Sequence, residues 1–374
     1  MPCFGPESAD LSRLAARGRL RRLMPRAGAD FSSNDYLGLA GSRRLAAALE
    51  AAIARGVPVG AGGSRLLRGN HAEHEALEAE AARFFGVEST LFFSSGYAAN
   101  VALFATLPQR RDLVVYDALL HASAHDGMRL GRAETAPVPH NDADAFADAI
   151  GRWRAGGAKG RAWMAVESLY SMDGDFAPLE ALLAVAQRHD AILVVDEAHA
   201  TGVFGPEGRG LASALEDRDH VLTLHTCGKA LGCEGALLAG ARVVGDSIVN
   251  RGRPFIFSTA PSPLMAAAVR ESLHVLADEP ERRDRLRALI AYAERALDRC
   301  GVAPTGSQIL PLVLGEDART MRVAAALQAA GLDVRGIRPP TVPKDSARLR
   351  ISLTLNADPD DIDALADALT AALR

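Results

Sequence analysis

Apolar runs and helical stretches alternate along the middle of the chain. The strand-like runs lie at 90–94, 112–116, 162–166, 191–195, 221–224 and 235–239. Stretches with helical periodicity lie at 97–106, 122–130, 142–154 and 178–188. Runs such as Ala-Ile-Leu-Val-Val at 191–195 lack polar alternation, which is typical of strands buried on both faces. The alternation therefore predicts an α/β domain with a mostly parallel sheet flanked by helices.

The segments on either side of this region have a different pattern. Helical patterns precede it at 8–26, 43–55 and 72–85, and a long one follows it at 262–300. Strand-like stretches at 308–314, 332–336 and 347–353 then alternate with helical stretches at 319–330 and 359–373. This second pattern predicts a smaller α+β domain. We expect an N-terminal arm at 1–40, a large domain at 41–265 and a small domain at 266–374.

Composition and charge exclude several classes of protein. The 374 residues carry a net charge of -4, whereas nucleic-acid binders present a basic surface. No stretch approaches the roughly 20 apolar residues of a membrane-spanning helix, and the N-terminus lacks the apolar core of a signal peptide. The cysteines, which form no CxxC pair, are Cys3, Cys227, Cys233 and Cys300. We therefore expect a protein of the reducing cytoplasm that binds no nucleic acid, membrane or metal.

Lys229 is surrounded by small residues in the sequence His-Thr-Cys-Gly-Lys-Ala-Leu-Gly at 225–232. The segment follows the strand-like run at 221–224, so the lysine is predicted at the end of a buried strand. A partly desolvated lysine amine is neutral and nucleophilic more readily than a surface amine. This is the chemistry of a Schiff-base lysine. The alternative is an ordinary lysine in a loop, and this segment alone does not exclude it.

A Ser-Gly turn at 95–96 joins a strand-like run to a helical stretch. Backbone N–H groups at a helix N-terminus favour anions, so Gly96 and Tyr97 are candidates for binding a phosphate. The alternative is a turn that binds nothing. Thr226, three residues before Lys229, offers a hydroxyl to the same phosphate.

Two further candidates follow apolar runs. His121 is either an ordinary histidine or a ring that stacks on a flat heteroaromatic group. Asp196 ends the run at 191–195, and a buried carboxylate is costly unless it is paired. A protonated pyridine nitrogen would pair with it and make the ring an electron sink, whereas a helix cap is the alternative. The sequence Asp-Glu-Ala-His at 196–199 also suggests a helicase or a metal site, but no P-loop and no second ligand set accompany it.

Together these positions supply a phosphate site, a stacking ring, a partner for a ring nitrogen and a nucleophilic lysine. One cofactor needs all four, and it is pyridoxal 5′-phosphate (PLP). The sequence therefore predicts a PLP site at the strand ends of the large domain.

Five motifs resemble those of the α-oxoamine synthases, which are fold-type I PLP enzymes that condense an amino acid with an acyl thioester and release CO2. The similarity runs from about Arg21 to the C-terminal helix. The motifs are Ser-Ser-Asn-Asp-Tyr-Leu-Gly at 32–38, Ser-Gly-Tyr-Ala-Ala-Asn at 95–100, Ser-Met-Asp-Gly-Asp at 171–175, Asp-Glu-Ala-His at 196–199 and Thr-Cys-Gly-Lys-Ala-Leu-Gly at 226–232. The stretch Ile-Arg-Pro-Pro-Thr-Val-Pro at 337–343, followed by Arg-Leu-Arg at 348–350, resembles the members that make a biotin precursor.

The resemblance implies a role for each matching residue. Lys229 and His121 are the implied catalytic residues, since the lysine forms the Schiff base and moves the Cα proton while the imidazole stacks on the ring. The implied cofactor contacts are Gly96, Tyr97, His121, Ser171, Asp196, His199, Thr226 and Lys229. The implied substrate contacts are Arg21, Asn34, His121, Thr341 and Arg350. Arg350 would hold the amino-acid carboxylate, and the family also implies a homodimer.

The resemblance predicts a PLP-dependent acyltransferase that condenses L-alanine with pimeloyl-CoA or pimeloyl-acyl carrier protein. Other members of the family use glycine with acetyl-CoA or succinyl-CoA, or serine with a long acyl chain. Two alternatives of other classes are a catalytically silent partner subunit and a PLP-dependent regulator. Intact Lys229, Asp196 and His121 disfavour the silent subunit, and no helix-turn-helix pattern precedes the domain to favour the regulator.

Overall fold

The structure is a computed structural model that describes residues 3–215 and 218–374. These residues form two compact units, one made of 34–287 and the other of 3–33 with 288–374. The domain boundaries predicted at residues 40 and 265 stay a prediction, because compactness in space does not establish which segments fold on their own.

The described residues contain the following elements. The helices are α1 (Gly5–Ala16), α2 (Arg43–Ala54), α3 (Ala72–Phe85), α4 (Gly96–Thr106), α5 (Ala122–Leu130), α6 (Ala143–Ala155), α7 (Leu179–Arg188), α8 (Arg242–Arg251), α9 (Arg253–Ile256), α10 (Pro263–Asp278), α11 (Glu281–Leu297), α12 (Asp317–Ala329) and α13 (Pro359–Leu373). The strands are β1 (Ala29–Asp30), β2 (Ser89–Phe93), β3 (Leu113–Asp117), β4 (Glu134–Val138), β5 (Ala162–Glu167), β6 (Ala191–Asp196), β7 (Val221–Thr226), β8 (Ala236–Gly240), β9 (Ile309–Gly315), β10 (Leu332–Asp333), β11 (Arg335–Ile337) and β12 (Ala347–Ser352).

The larger unit is built on a seven-stranded sheet with the spatial order β2-β8-β7-β6-β5-β3-β4. β8 is antiparallel to both neighbours, and the other pairs are parallel. Alternate residues of β5 enter opposite cores, because Trp163 packs in the cluster around Phe104 and Met164 packs in the cluster around Phe146. Burial on both faces explains why these strands have no polar alternation, and the predicted α/β class is confirmed.

β4 is a strand that the apolar pattern does not predict. It lies at the edge of the sheet beside β3, and most of its residues are exposed or half-buried. It also contains Pro137, which has no N–H to donate and is tolerated on an edge strand. A strand at the edge of a sheet does not need an apolar run, so the pattern that predicts the other strands is missing from β4.

Two predicted helical segments are too long. The stretch at 262–300 is two helices, α10 and α11, and Pro280 lies between them because proline cannot continue the hydrogen-bond pattern of a helix. The helix predicted at 8–26 ends at Ala16. Gly18 follows with a φ of 63°, a left-handed conformation that is typical of a helix end.

The smaller unit contains an antiparallel sheet with the order β11-β12-β9 and a parallel pair formed by β1 and β10. α13 begins with a capping box in which Asp358 and Asp361 each accept a hydrogen bond from the other's backbone N–H. None of the described helices is long and apolar enough to cross a membrane.

Gly232 closes the lysine segment in a conformation that needs glycine, with a φ of 64°. A Cβ atom there would lie 2.5 Å from the backbone nitrogen of Ala40, whereas a Cβ on Gly56, which has a φ of 82°, would meet nothing within 4 Å. We expect Gly56→Ala to lower the free energy of unfolding by about 1 kcal/mol through backbone strain alone. Gly232→Ala should lower it by about 3 kcal/mol or more, because the backbone must also move. Equal losses in urea unfolding of the two variants would contradict this expectation.

Candidate active site

A cavity of about 150 Å³ lies at the carboxyl ends of the parallel strands, where ligands of such sheets bind. The residues that line it are Gly96, Tyr97, Asn100, His121, Ser123, Glu167, Asp196, Ala198, His199, Leu224, Thr226 and Lys229. A larger depression of about 440 Å³ lies around Arg44 and His274. Arg44 already forms ion pairs with Glu271, Asp278 and Glu279, so the smaller cavity is the better candidate for binding a ligand.

One wall of the cavity is the N-terminus of α4. The helix begins at Gly96, and the Ser95 hydroxyl caps it by accepting a hydrogen bond of 3.1 Å from the Ala98 N–H. First-turn N–H groups, here those of Gly96 and Tyr97, have no carbonyl partner within an α-helix. A Cβ on Gly96 would lie 3.5 Å from the Thr226 hydroxyl oxygen, so the helix N-terminus adjoins the end of β7. Two segments distant in sequence thus form one place for an anion.

A hydrogen-bonded chain that begins on the same helix also lines the cavity and ends at Asp196. The Asn100 amide donates to Asp196 Oδ2 at 2.9 Å, and the Ala198 N–H donates to Oδ1 at 3.0 Å. Asn100 also donates to the Ser123 hydroxyl at 3.0 Å, and that oxygen lies 2.8 Å from His121 Nδ1. The Asp196 carboxylate is 6% exposed, so these donors offset the cost of burying its charge.

Lys229 contacts a second chain of polar groups. Its Nζ lies 2.8 Å from His199 Nε2, and His199 Nδ1 lies 2.6 Å from the Tyr36 hydroxyl. The same hydroxyl donates to Asn34 Oδ1 at 3.0 Å. Because the hydroxyl proton can point to only one acceptor, donation to Asn34 leaves the Tyr36 oxygen to accept from His199. In that arrangement His199 Nε2 is an acceptor that faces the lysine amine.

His121 lines the cavity and is an exposed residue. The surrounding protein nevertheless lowers the pKa of its imidazole. Burial lowers the pKa of His121, and the positive charge of Lys229 lowers the pKa further, while Asp196 opposes both. A lowered pKa favours the neutral imidazole at neutral pH. A neutral ring is suited to stacking on a heteroaromatic ligand.

Glu167 ends β5 and lines the cavity beside Asp196, its register partner on β6. Ser171 is not among the lining residues, although its N–H donates to Glu167 Oε2 at 3.2 Å. Burial, reinforced by the charge of Asp196, raises the pKa of Glu167 to about 8. Ser171, one of the predicted cofactor contacts, thus contacts a residue of the lining, Glu167.

Asp117, at the end of β3, belongs to a polar network that includes His140 and Asp175. Its carboxylate accepts hydrogen bonds from the backbone N–H groups of Leu119 and Asn141, each at 2.8 Å. His140 Nδ1 lies 2.9 Å from Asp117, and Nε2 lies 2.7 Å from Asp175. Each ring nitrogen thus faces a carboxylate, an arrangement that favours the doubly protonated imidazolium.

The charge of His140 should make stability depend on pH. Burial alone lowers the pKa of His140, but the hydrogen-bonded carboxylates of Asp117 and Asp175 outweigh it and raise the pKa above 6.5. Because the folded-state pKa is the higher one, this contribution to stability is complete below the unfolded-state pKa and is lost as pH rises through the folded-state value.

We expect the difference in free energy of unfolding between wild type and His140→Gln to shrink from pH 6 towards alkaline pH. Urea unfolding across this range measures it. The matched variant His189→Gln replaces a half-buried histidine after α7. If both variants followed the same pH profile, the charge assigned to His140 would be wrong.

The predicted substrate contacts lie in two different units. Arg21, Thr341 and Arg350 belong to the smaller unit, where Arg21 Nη2 donates to the Thr341 hydroxyl at 3.2 Å. Arg350 is buried on β12 and donates from Nη1 to the Ser352 hydroxyl at 2.6 Å. Asn34 belongs to the larger unit and contacts Tyr36. The structure thus brings Arg21 and Thr341 together.

Four polar side chains of the site have no role in the sequence-based prediction, namely Tyr36, Asn100, Ser123 and Glu167. Two of them carry a signal that could have found them. Asn100 lies four residues after Gly96, which places both on one face of a helix. Glu167 ends an apolar strand just as Asp196 does, so the rule that selected one carboxylate applies to the other.

Comparison with known proteins extends these observations to the family. The family described as aminotransferase class I and II matches residues 27–369. The chain belongs to this family. The match includes the whole of the larger unit and most of the smaller one.

Curated relatives that match nearly the whole chain indicate which enzymes of this family it resembles. A protein named 8-amino-7-oxononanoate synthase from Anaeromyxobacter dehalogenans is 44% identical over 382 residues, covering 98% of this chain and 94% of that protein. A protein of the same name from Herminiimonas arsenicoxydans is 43% identical, covering 91% of this chain and 89% of that protein. The predicted membership of the α-oxoamine synthases is confirmed.

Solved structures show the same relationship. A serine palmitoyltransferase from Sphingomonas wittichii matches with a TM-score of 0.90 at 28% identity, covering 99% of this chain and 97% of that chain. A serine palmitoyltransferase variant from S. paucimobilis, solved with a bound PLP–myriocin aldimine, has the same score, identity and coverage. An 8-amino-7-oxononanoate synthase from Francisella tularensis has a TM-score of 0.78 at 26% identity, covering 92% and 98%. The predicted fold-type I architecture is confirmed.

Proposed function

We propose that this protein is a PLP-dependent 8-amino-7-oxononanoate synthase, which condenses L-alanine with a pimeloyl thioester and releases the thiol and CO2. The observation that carries the proposal is the meeting of Lys229, Asp196, His121 and the N-terminus of α4 around one cavity. Relatives at 43–44% identity are named 8-amino-7-oxononanoate synthase, which supports the proposed reaction. The sequence-based prediction of enzyme class, cofactor and reaction agrees with both.

The lining of the cavity fits the chemical groups of PLP. The N-terminus of α4 and the Thr226 hydroxyl suit the phosphate, the Asp196 carboxylate suits the pyridine nitrogen, and His121 suits the ring face. Lys229 supplies the amine for the aldehyde. When bound, PLP provides an electron sink that stabilises negative charge on the α-carbon of an amino acid.

The side chains of the chain itself then perform binding and proton transfer. Lys229 removes and returns the proton at the α-carbon, and His199, 2.8 Å from its Nζ, fixes the position of the amine. Tyr36 in turn fixes the His199 ring through the contact at Nδ1. Asp196 keeps the pyridine nitrogen protonated. The family resemblance assigns Arg350, Arg21, Thr341 and Asn34 to the substrate, and these roles stay part of the proposal.

The visible absorption of the purified protein with added PLP tests the cofactor, and the product tests the reaction. We expect a bound-cofactor band that changes with L-alanine and a product that mass spectrometry identifies as 8-amino-7-oxononanoate. Parallel reactions with pimeloyl-CoA and pimeloyl-acyl carrier protein decide between the acyl donors. A protein that binds no PLP under these conditions would contradict the proposal.

A second candidate function is supported by the structural comparison. The serine palmitoyltransferases match with a TM-score of 0.90, above the 0.78 of the synthase from Francisella tularensis. Their identity to the chain is only 28%, against 44% for the curated synthase, so the first function is favoured. Turnover of L-serine with a long-chain acyl thioester, but not of L-alanine, would reverse this order.

A homodimer in the cytoplasm completes the proposal. The family resemblance implies the dimer, and the larger unit exposes apolar side chains that a second copy would cover, including Val59, Leu67 and Phe257. All four cysteines are free thiols, which agrees with a reducing compartment. Light scattering of the purified protein measures the oligomeric state, and a monomer would contradict the dimer.

A further inference from the structure

Three buried carboxylates lie at the carboxyl ends of neighbouring strands. Asp117 ends β3, Glu167 ends β5 and Asp196 ends β6, and these side chains belong to residues that are 0%, 2% and 6% exposed. β5 pairs with both other strands, so Glu167 lies on the middle strand of the three. Ionised carboxylates that lie close together repel one another, and burial adds a desolvation cost to each charge. Hydrogen-bond donors can offset this cost.

The donors are distributed unequally among the three side chains. Asp117 accepts from two backbone N–H groups and contacts the His140 ring, and Asp196 accepts from one amide and one backbone N–H. Glu167 accepts only the Ser171 N–H, at 3.2 Å, and its Oε1 has no hydrogen-bond partner among the described residues. Asp117 and Asp196 are thus equipped to be anions. Of the three carboxyl groups, Glu167 is therefore the one that binds a proton most readily.

The groups around Glu167 oppose a second negative charge there. Asp196 and Asp117 face it from β6 and β3, and the Tyr170 phenol lies in the loop after β5. Lys229 and the Ser171 N–H favour ionisation. His121 and His199 line the same cavity. Burial and the two carboxylates outweigh Lys229 and raise the pKa of Glu167 above the physiological range, to about 8.

We propose that Glu167 is a ligand-binding residue that stays protonated at neutral pH and donates its carboxyl O–H to an acceptor oxygen of the bound ring. The identity of that ring rests on the proposed function, whereas the protonation of Glu167 rests on the carboxylate group alone. Glu167 lines the cavity, and its buried Oε1 has no hydrogen-bond partner among the described residues, so a bound ligand could supply one. A neutral Glu167 also leaves Asp196 as the anion for the ring nitrogen.

Infrared difference spectroscopy without cofactor tests the protonation directly. We expect the spectrum of wild type minus Glu167→Gln to contain the carbonyl band of a protonated carboxylic acid at pH 7, and this band should fade above about pH 8. The matched control is Asp112→Asn, which changes a buried carboxylate immediately before β3 that accepts hydrogen bonds from three N–H groups. No protonated-acid band should be lost in that control. Absence of the band in wild type would overturn the proposal.

The pH dependence of PLP affinity tests the donor role. Wild type should lose affinity above about pH 8, by up to about tenfold per pH unit, as Glu167 ionises. Glu167→Gln keeps a neutral donor, so its affinity at pH 7 should stay within about threefold of wild type and should not show the loss due to Glu167. Glu167→Leu has no donor and should bind about tenfold more weakly at pH 7.

The outcomes separate this inference from the proposed function. If wild type binds no PLP, the proposed function fails and the infrared result still decides the protonation. If wild type binds PLP but Glu167→Gln loses affinity with pH just as wild type does, the donor role is wrong. Near-ultraviolet circular dichroism checks the fold of each variant, and if Glu167→Leu does not fold, the comparison of Glu167→Gln with wild type decides alone.

Discussion

Lys229→Ala is expected to give a folded protein that has lost about ten-thousandfold or more of its turnover of L-alanine and pimeloyl thioester. The variant removes both the amine that would bond to the cofactor and the base that would move the α-proton. Lys229 is half-buried in a segment that follows β7, so loss of its side chain removes little packing. Steady-state rates measure the loss of turnover, and the visible spectrum with PLP measures the loss of the bond between the amine and the cofactor. The thermal unfolding midpoint shows whether the variant is folded.

The sequence offers an unusually clear control for this prediction. Its lysines are Lys159, Lys229 and Lys344, and both of the others are exposed. Borohydride reduction of the PLP-loaded protein, followed by peptide mass spectrometry, should place the label on Lys229 alone. Lys159→Ala should keep full turnover. A label on another lysine, or full turnover by Lys229→Ala, would overturn the assignment of the nucleophile.

The sequence could locate Lys229 and Asp196 because both follow apolar strands. Once the strands are parallel, their carboxyl ends lie at one edge of the sheet, and polar residues there are brought together. The alternation of strands and helices therefore predicts both the fold and the place of the chemistry. β4 shows the limit of this signal, since an exposed edge strand does not need an apolar run.

Contacts between segments distant in sequence could not be predicted in the same way. Tyr36 and His199 are 163 positions apart, yet their side-chain atoms are 2.6 Å apart in the structure. Asn100 reaches Asp196 across 96 positions from inside a helix whose remaining buried residues are mostly apolar. Only the packing of α4 against the sheet determines that its one buried amide faces the carboxylate.

The sequence pattern also does not determine which carboxyl groups are protonated. Glu167 and Asp196 are both acidic residues at the end of apolar strands, and the sequence treats them alike. The structure distinguishes them by their donors, because Asp196 receives two hydrogen bonds and Glu167 receives one. Two similar carboxylates can thus take opposite protonation states, one anionic and one neutral, in the same cavity.

Asp196→Asn is expected to lower kcat/KM by on the order of a thousandfold, since it removes the charge that would stabilise the protonated pyridine nitrogen. The amide keeps the shape of the carboxylate, so packing at the end of β6 changes little. The loss should appear mainly in kcat, because the electron sink acts after the amino acid is bound. Steady-state kinetics with L-alanine and the visible spectrum of bound PLP measure the effect.

The same variant should change the titration of Glu167, which provides a readout apart from turnover. Burial is the larger cause of the raised pKa of Glu167, and the charge of Asp196 is the next. Removing that charge should lower the pKa, so the protonated-acid band should fade at a lower pH than in wild type. Asp112→Asn, which lies at the opposite end of the sheet, should alter neither the kinetics nor the band. If Asp196→Asn left both unchanged, Asp196 would be neither the partner of the ring nitrogen nor the charge that keeps Glu167 protonated.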